Sequence, residues 1–181
     1  SSSIKAGCIV CDMSSVTPAQ SRNFAARLGE FGVSFLDAPV SGGEPGAKDA
    51  TLAFMAGGME HVYQEVLPYF EQMGSTATLV GETGSGSTTK LVNQIIVNMN
   101  IAVVSEAFVF AAKAGADPQK VFEAIRGGLA GSAVMEAKVP MILERNFTPG
   151  GSLTINHKDI KNVIHEAHIS DIPVPFTAQL F

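Results

Sequence analysis

Charged side chains are scarce in this sequence, 16% of its 181 residues, and no run of Lys or Arg relieves that scarcity. With a formal net charge of −5, the chain offers no basic patch to nucleic acid or to an anionic membrane. Cysteine is rarer still. Cys8 and Cys11 have C-x-x-C spacing, but they fall in an apolar, β-branched run that reads as a strand. Residues at i and i+3 of a strand point to opposite faces, which argues against a shared redox or metal site. Both are expected as small core residues in a reducing compartment. The opening Ser1-Ser2-Ser3-Ile4-Lys5 lacks the apolar stretch of a secretory signal, so a cytoplasmic location is expected. His61, His157, His165 and His168 have no ligand-like spacing with carboxylates, so no metal is expected. What the chain does have is apolar material, 46% hydrophobic residues, the balance of a soluble globular protein.

The order of that material changes along the chain. Gly7–Met13, Val33–Ala38, Leu52–Ala56 and Thr76–Val80 read as strands. Between them, Thr17-Pro18 opens a helix as cap and first-turn proline, ending near Phe31-Gly32. A second helix spans Glu60–Met73 and should break or bend at Pro68. Strands alternating with helices predict an α/β layer with partly parallel pairing. From Ser87 to Ala114 the pattern becomes one long helix without Pro or interior Gly. It would span about 40 Å at the helical rise of roughly 1.5 Å per residue, enough to join two domains. Its apolar stretch is interrupted by Asn93, Gln94, Asn98, Asn100, Ser105 and Glu106, which predicts a buried helix of a soluble protein rather than a membrane span. Asp117-Pro118 starts a further helix, and others are expected over Ser132–Leu143 and Lys158–His168. The predicted architecture is α/β followed by all-α, divided near Gly86.

Three segments could carry chemistry. A glycine-rich stretch, Gly81 to Gly86, leads into the long helix; it is neither G-x-G-x-x-G nor a P-loop and reads as a flexible connection. One turn in, Lys90 and Asn93 share a helix face. A lysine near the positive end of a helix dipole has its charged form disfavoured, which suits acid/base work near neutral pH. A solvated first-turn lysine would have the same spacing. Beyond the second strand, Ser41-Gly42-Gly43 could form an anion-binding nest for a carboxylate, or an ordinary Ser-Gly-Gly turn.

Four motifs occur in order: Asp12-Met13-Ser14-Ser15, Asp37-Ala38-Pro39-Val40-Ser41-Gly42-Gly43, Gly84-Ser85-Gly86-x-x-x-Lys90-x-x-Asn93-Gln94, and His157-Lys158-Asp159. In this order the chain resembles the β-hydroxyacid dehydrogenase family, related to 6-phosphogluconate dehydrogenase, over nearly its whole length through the Pro149-Gly150 segment. The resemblance implies that residues 1–85 are the C-terminal part of a Rossmann-like NAD(P)-binding domain. Residues 86–181 would be a helical substrate and oligomerisation domain, incomplete at its end. It implies NAD or NADP as cofactor, a small β-hydroxyacid or semialdehyde acid as substrate, and Lys90 as general acid/base. Asn93 would orient the substrate. Ser41, Gly42 and Gly43 would hold its carboxylate. Ser15, Lys158 and Asp159 would face the cofactor. The related imine reductases lack this lysine, which favours alcohol/aldehyde chemistry. Family members commonly carry an aromatic residue where this chain has Gly151, which alters one wall of the expected pocket. The chain is expected to begin around the fifth strand of the dinucleotide domain, because no G-x-G-x-x-G precedes it. The competing expectation is a dehydrogenase-like body without catalysis, serving as an interaction or oligomerisation module. Apolar residues around the long helix, among them Ile95, Ile96, Val97, Met99, Ile101, Val103 and Val104, predict a homo-oligomer in either case.

Overall fold

The computed structural model describes residues 4–148 and 150–181. The elements are β1 (Ile9–Asp12), α1 (Pro18–Gly29), β2 (Ser34–Asp37), β3 (Val40–Ser41), α2 (Gly43–Lys48), β4 (Leu52–Gly57), α3 (Glu60–Met73) and β5 (Gly74–Gly81). The helices α4 (Ser85–Lys113), α5 (Pro118–Ile125), α6 (Ala133–Leu143), α7 (Leu153–Ile169) and α8 (Pro175–Leu180) follow. The architecture is thus an α/β sheet layer followed by helices.

β1 pairs parallel with β2 from Ile9–Ser34 to Asp12–Asp37. β4 is the hub of the sheet: it runs parallel to β5, antiparallel to β3, and meets β2 at one antiparallel pair, Asp37 with Gly57. The connections explain the mixture. α1 and α3 supply the crossovers that parallel neighbours require, whereas the chain from β2 turns back within Pro39–Asp49. The core of this layer is Leu36, Ala38, Phe54, Ala56, Val62, Tyr63, Val66 and Phe70. Phe54 stacks on Phe70 with ring centroids 4.4 Å apart. Burying a Phe side chain contributes about 2–3 kcal/mol, so this pair anchors α3 to β4. A second core, Val104, Phe108, Phe122, Met135 and Val139, binds the distal half of α4 to α5 and α6.

Local chemistry sets the helix starts. Thr17 Oγ1 accepts from the Gln20 amide at 3.2 Å and Gln20 Oε1 accepts from the Thr17 amide at 2.9 Å, a complete capping box before Pro18. Asp117 caps α5 through the Gln119 amide at 2.9 Å.

Several expectations are corrected. Cys8 is exposed rather than a core residue, because β1 begins only at Ile9. Cys11 is half-buried, and burial first, then the charges of Asp12 and Asp37, push its thiol up to about 11, which disfavours the thiolate. α3 does not break at Pro68, which lies inside the helix. α7 starts five residues before the expected Lys158, at Leu153. The Gly81–Gly86 stretch is not a flexible connection. A Cβ on Gly86 would lie 2.3 Å from the Met55 carbonyl oxygen and 2.5 Å from that of Asp37, so the chain is pressed against the sheet here and only glycine fits. The long helix is only partly buried: Val92, Ile96, Val103, Val109 and Phe110 are exposed. By length and composition α4 could cross a membrane. Of its buried polar residues, Lys90 bonds to Val40 of β3 and Gln94 to Asp159 of α7, while Asn98 bonds to a carbonyl of α4 itself.

Candidate active site

The site gathers where the parallel pair β1–β2 ends and α4 begins. Asp37, the last residue of β2, is 1% exposed. Its Oδ1 accepts from the Gly84 amide at 2.7 Å and its Oδ2 from the Ser87 amide at 2.8 Å. A carboxylate from the sheet therefore satisfies two of the orphan amides at the start of α4 and opposes the positive end of its dipole. Burial pushes the Asp37 carboxyl above the usual range, and the two amides only partly offset this. Ser87 adds a buried 2.8 Å hydroxyl contact to Ser21 of α1. Sequence reading placed Asp37 in a motif but gave it no task. The available signal was a carboxylate closing an otherwise apolar strand.

With its first turn fixed, α4 carries Lys90 inward. The side chain is buried, and Nζ donates to the Val40 carbonyl oxygen at 2.8 Å. Val40 belongs to the short β3, a strand the sequence did not announce; β3 ends at Ser41, so lysine and Ser-Gly-Gly segment share one wall. Burial lowers the pKa of Lys90 below its ordinary value; the charge of Asp159 opposes this and that of Lys158 adds to it. Gly42 and Gly43 take φ of 132° and 62°, conformations that a side chain would strain, and lead into α2. Ser41 is half-buried and the two glycines are exposed, so this loop opens to solvent.

The expected cofactor-side residues also meet. Lys158 Nζ donates to the Ser15 carbonyl oxygen at 3.0 Å and lies 3.0 Å from Asp159 Oδ1. Ser15 stands just beyond the carboxyl end of β1, where open parallel sheets receive dinucleotides. Asp159 is buried and its Oδ2 accepts from Gln94 Nε2 at 2.5 Å. Asn93 turns its Nδ2 to Gln94 Oε1 at 2.9 Å. Sequence reading passed over Gln94, although its place one turn beyond Lys90 puts it on the same helix face. Pro149 of the resembling segment lies outside the described residues, and a Cβ at Gly151 would meet nothing within 4 Å. Among the described residues no group of His, Cys, Asp and Glu is placed to hold a metal.

The lowered pKa of Lys90 sets the sign of a stability effect. Below the folded-state value the buried ammonium opposes folding in full. As pH rises from that value to the ordinary 10.5, the folded state sheds its proton first and the penalty fades. Lys90→Met is therefore expected to be more stable than the parent at neutral pH, with the gap closing towards alkaline pH. Paired urea melts across that range check it, and a gap that widens with pH would contradict the burial argument.

A parallel strand pair with polar residues beyond its carboxyl ends, continued by a long helix, defines a protein of dinucleotide-binding architecture. The family described as the NAD-binding domain of NADP-dependent 3-hydroxyisobutyrate dehydrogenase matches residues 84–181, and that described as the NAD-binding domain of 6-phosphogluconate dehydrogenase matches residues 1–81. The 2-hydroxy-3-oxopropionate reductase of Escherichia coli (strain K12) is 45% identical over 95% of this chain and 59% of its own length. The 2-(hydroxymethyl)glutarate dehydrogenase of Eubacterium barkeri is 35% identical over 98% of this chain and 59% of its own. Among solved structures, Mycobacterium tuberculosis 3-hydroxyisobutyrate dehydrogenase with L-serine superposes with a TM-score of 0.90 at 28% identity, over 97% of this chain and 63% of that one. The chain belongs to the β-hydroxyacid dehydrogenase family. It spans about three fifths of the length of the curated relatives it matches.

Proposed function

We propose that this chain is the catalytic portion of an NAD(P)-dependent oxidoreductase acting on a small acid with a β-hydroxyl or aldehyde group. The observation that carries the reading is the buried Lys90, held at 2.8 Å on the Val40 carbonyl beside the Ser41-Gly42-Gly43 loop. A solvated surface lysine would have neither the burial nor the anchor.

In this reading the amides and hydroxyl of Ser41, Gly42 and Gly43 receive the substrate carboxylate. Asn93 orients the reacting oxygen. Lys90, with its charged form disfavoured, takes the hydroxyl proton during oxidation and returns it during reduction. Ser15, Lys158 and Asp159 line the cofactor side; a backbone carbonyl, an ammonium and a carboxylate at the end of β1 suit the polar edge of a nicotinamide nucleotide. NAD or NADP bound there supplies or accepts the hydride. The division between the two parts falls near Gly86, and both contribute: the sheet part brings Ser15 to the cofactor and Ser41, Gly42 and Gly43 to the substrate, while the helical part brings Lys90 and Asn93 to the substrate and Lys158 and Asp159 to the cofactor. In this reading the protein works in the cytoplasm.

The test is a 340 nm assay of the whole protein with NADH and NADPH. Its substrates are small semialdehyde acids and the matching aldehydes without a carboxylate. Turnover confined to the acids supports the reading. A folded protein silent with every acid and both cofactors would instead favour a non-catalytic interaction module.

The exposed residues Val92, Ile96, Val103 and Phe110 recur at three- and four-residue multiples along α4 and form one apolar stripe. A second copy of the chain covers this stripe in our reading. The double change Ile96→Glu with Val103→Glu is expected to convert an oligomer into a monomer, read by light scattering after size-exclusion chromatography. A parent protein already monomeric would refute it.

A further inference from the structure

We propose that Gln94 is the positioning residue that joins the cofactor side of the site to the substrate side and fixes which way the Asn93 amide faces. The inference rests on the catalytic reading above. It starts from a continuous polar chain: Ser15 O accepts from Lys158 Nζ at 3.0 Å, and Lys158 Nζ pairs with Asp159 Oδ1 at 3.0 Å. Asp159 Oδ2 accepts from Gln94 Nε2 at 2.5 Å, and Gln94 Oε1 accepts from Asn93 Nδ2 at 2.9 Å.

The direction of this chain follows from chemistry. An ionised carboxylate only accepts hydrogen bonds, so the group that Gln94 turns to Asp159 must be its nitrogen. Its oxygen then faces Asn93, and an oxygen can only accept, so Asn93 must present Nδ2 to it. Asn93 Oδ1 is left for the cleft. The negative charge of Asp159 is thereby converted, through one amide, into an acceptor on the substrate side. An acceptor there suits a hydroxyl hydrogen of the substrate. Gln94 has little freedom to do otherwise. It is 8% exposed, and its own carbonyl takes the Asn98 Nδ2 bond at 2.8 Å, which stiffens this turn of α4. Asp159 is 3% exposed, so water is poorly placed to replace Gln94. Asp159 lies 65 residues away on α7, so the link also ties α7 to α4 where the two halves of the site meet.

Glutamine suits the task because it offers a donor and an acceptor at one reach without charge. Methionine has similar length and neither group. Glutamate would confront Asp159 with a second carboxylate.

The experiment uses the whole protein and measures kcat and KM for a semialdehyde acid in Gln94→Met, Asn93→Ala, Asp159→Asn, Lys90→Ala and the paired variants, with melts to confirm folding. Gln94→Met is expected to lower kcat at least about ten-fold, a change of about 1.4 kcal/mol in barrier, with KM for the acid moving far less. The losses from Gln94→Met and Asn93→Ala should not multiply, because an unoriented Asn93 has little left to lose. If Gln94→Met does not fold, the Asp159→Asn and Asn93→Ala pair tests the same chain, since an asparagine at 159 can present either face of its amide. Fully multiplying losses in either cycle, or a Gln94→Met kcat within two-fold of the parent, would overturn the proposal. Lys90→Ala separates the two readings. If that variant is inactive while Gln94→Met is unaffected, only the positioning role falls; if it is fully active, the catalytic reading falls with it.

Discussion

Replacing Lys90 with alanine is expected to lower kcat by about 10³-fold while leaving the protein folded. General acid/base groups contribute about 10²–10⁴-fold, and no other amine is buried in this cleft among the described residues. The neighbours explain why the loss should fall on kcat. Ser41, Gly42 and Gly43 keep their place on β3 and α2 without the lysine, so KM should change little if this loop holds the carboxylate as proposed. The remaining contact of Lys90, with the Val40 carbonyl, is lost from a strand that stays paired with β4 through Val40–Phe54 and Ser41–Ala53. A stopped-flow or steady-state assay at 340 nm decides the matter. Arginine is the informative second variant. It keeps a positive charge but cannot give up its proton, so a Lys90→Arg enzyme should be as poor as Lys90→Ala. Activity retained in Lys90→Arg would mean that the charge, not the proton, is what the site uses.

Those two readings of Lys90 could not be separated by spacing. A lysine and an asparagine one turn apart near a helix start occur on many solvated helices. Only the tertiary fold shows the lysine buried on β3. What was legible in the chain was mostly local. Thr17-Pro18 and Asp117-Pro118 announce α1 and α5 at the right residues, because cap and first-turn proline act within one helical turn. The strands at Leu52 and Thr76 are legible because each is a short, largely apolar run closed by a glycine, Gly57 or Gly81, and the second carries the β-branched Thr76, Thr78 and Val80. The missed elements are short. β3 has two residues, α2 and α8 six each, too few for a period to show. The early start of α7 was missed for a different reason. Ser152 caps it through the Ile155 amide at 3.4 Å, but the glycines just before it read as continued loop. The family resemblance named the candidate residues. It did not supply the wiring, since Asp37–Ser87 and Gln94–Asp159 join residues 50 and 65 positions apart.

Asp37 shows what that wiring is worth. Asp37→Ala is expected to destabilise the protein by about 3 kcal/mol, because it strands the Gly84 and Ser87 amides in a buried place where water cannot reach them. The close fit of Gly57 and Gly86 around it offers no room for repair. A Cβ on Gly57 would already lie 2.8 Å from Asp37 Oδ1 and 2.7 Å from the Gly86 amide. The first turn of α4 should therefore loosen, and with it the placement of Lys90 one turn further on. Asp37→Asn is the sharper variant. It is nearly the same size, yet it has one oxygen for two donors and must press its own NH₂ against an N–H group. The expected order of stability is the parent, then asparagine, then alanine, with kcat falling in the same order because Lys90 follows α4. Urea melts together with hydrogen exchange at the Gly84 and Ser87 amides measure both halves of this claim. Should the alanine variant melt like the parent with those two amides still protected, another acceptor must reach them. The buried carboxylate would then be incidental to α4 rather than the group that fixes the helix on the sheet.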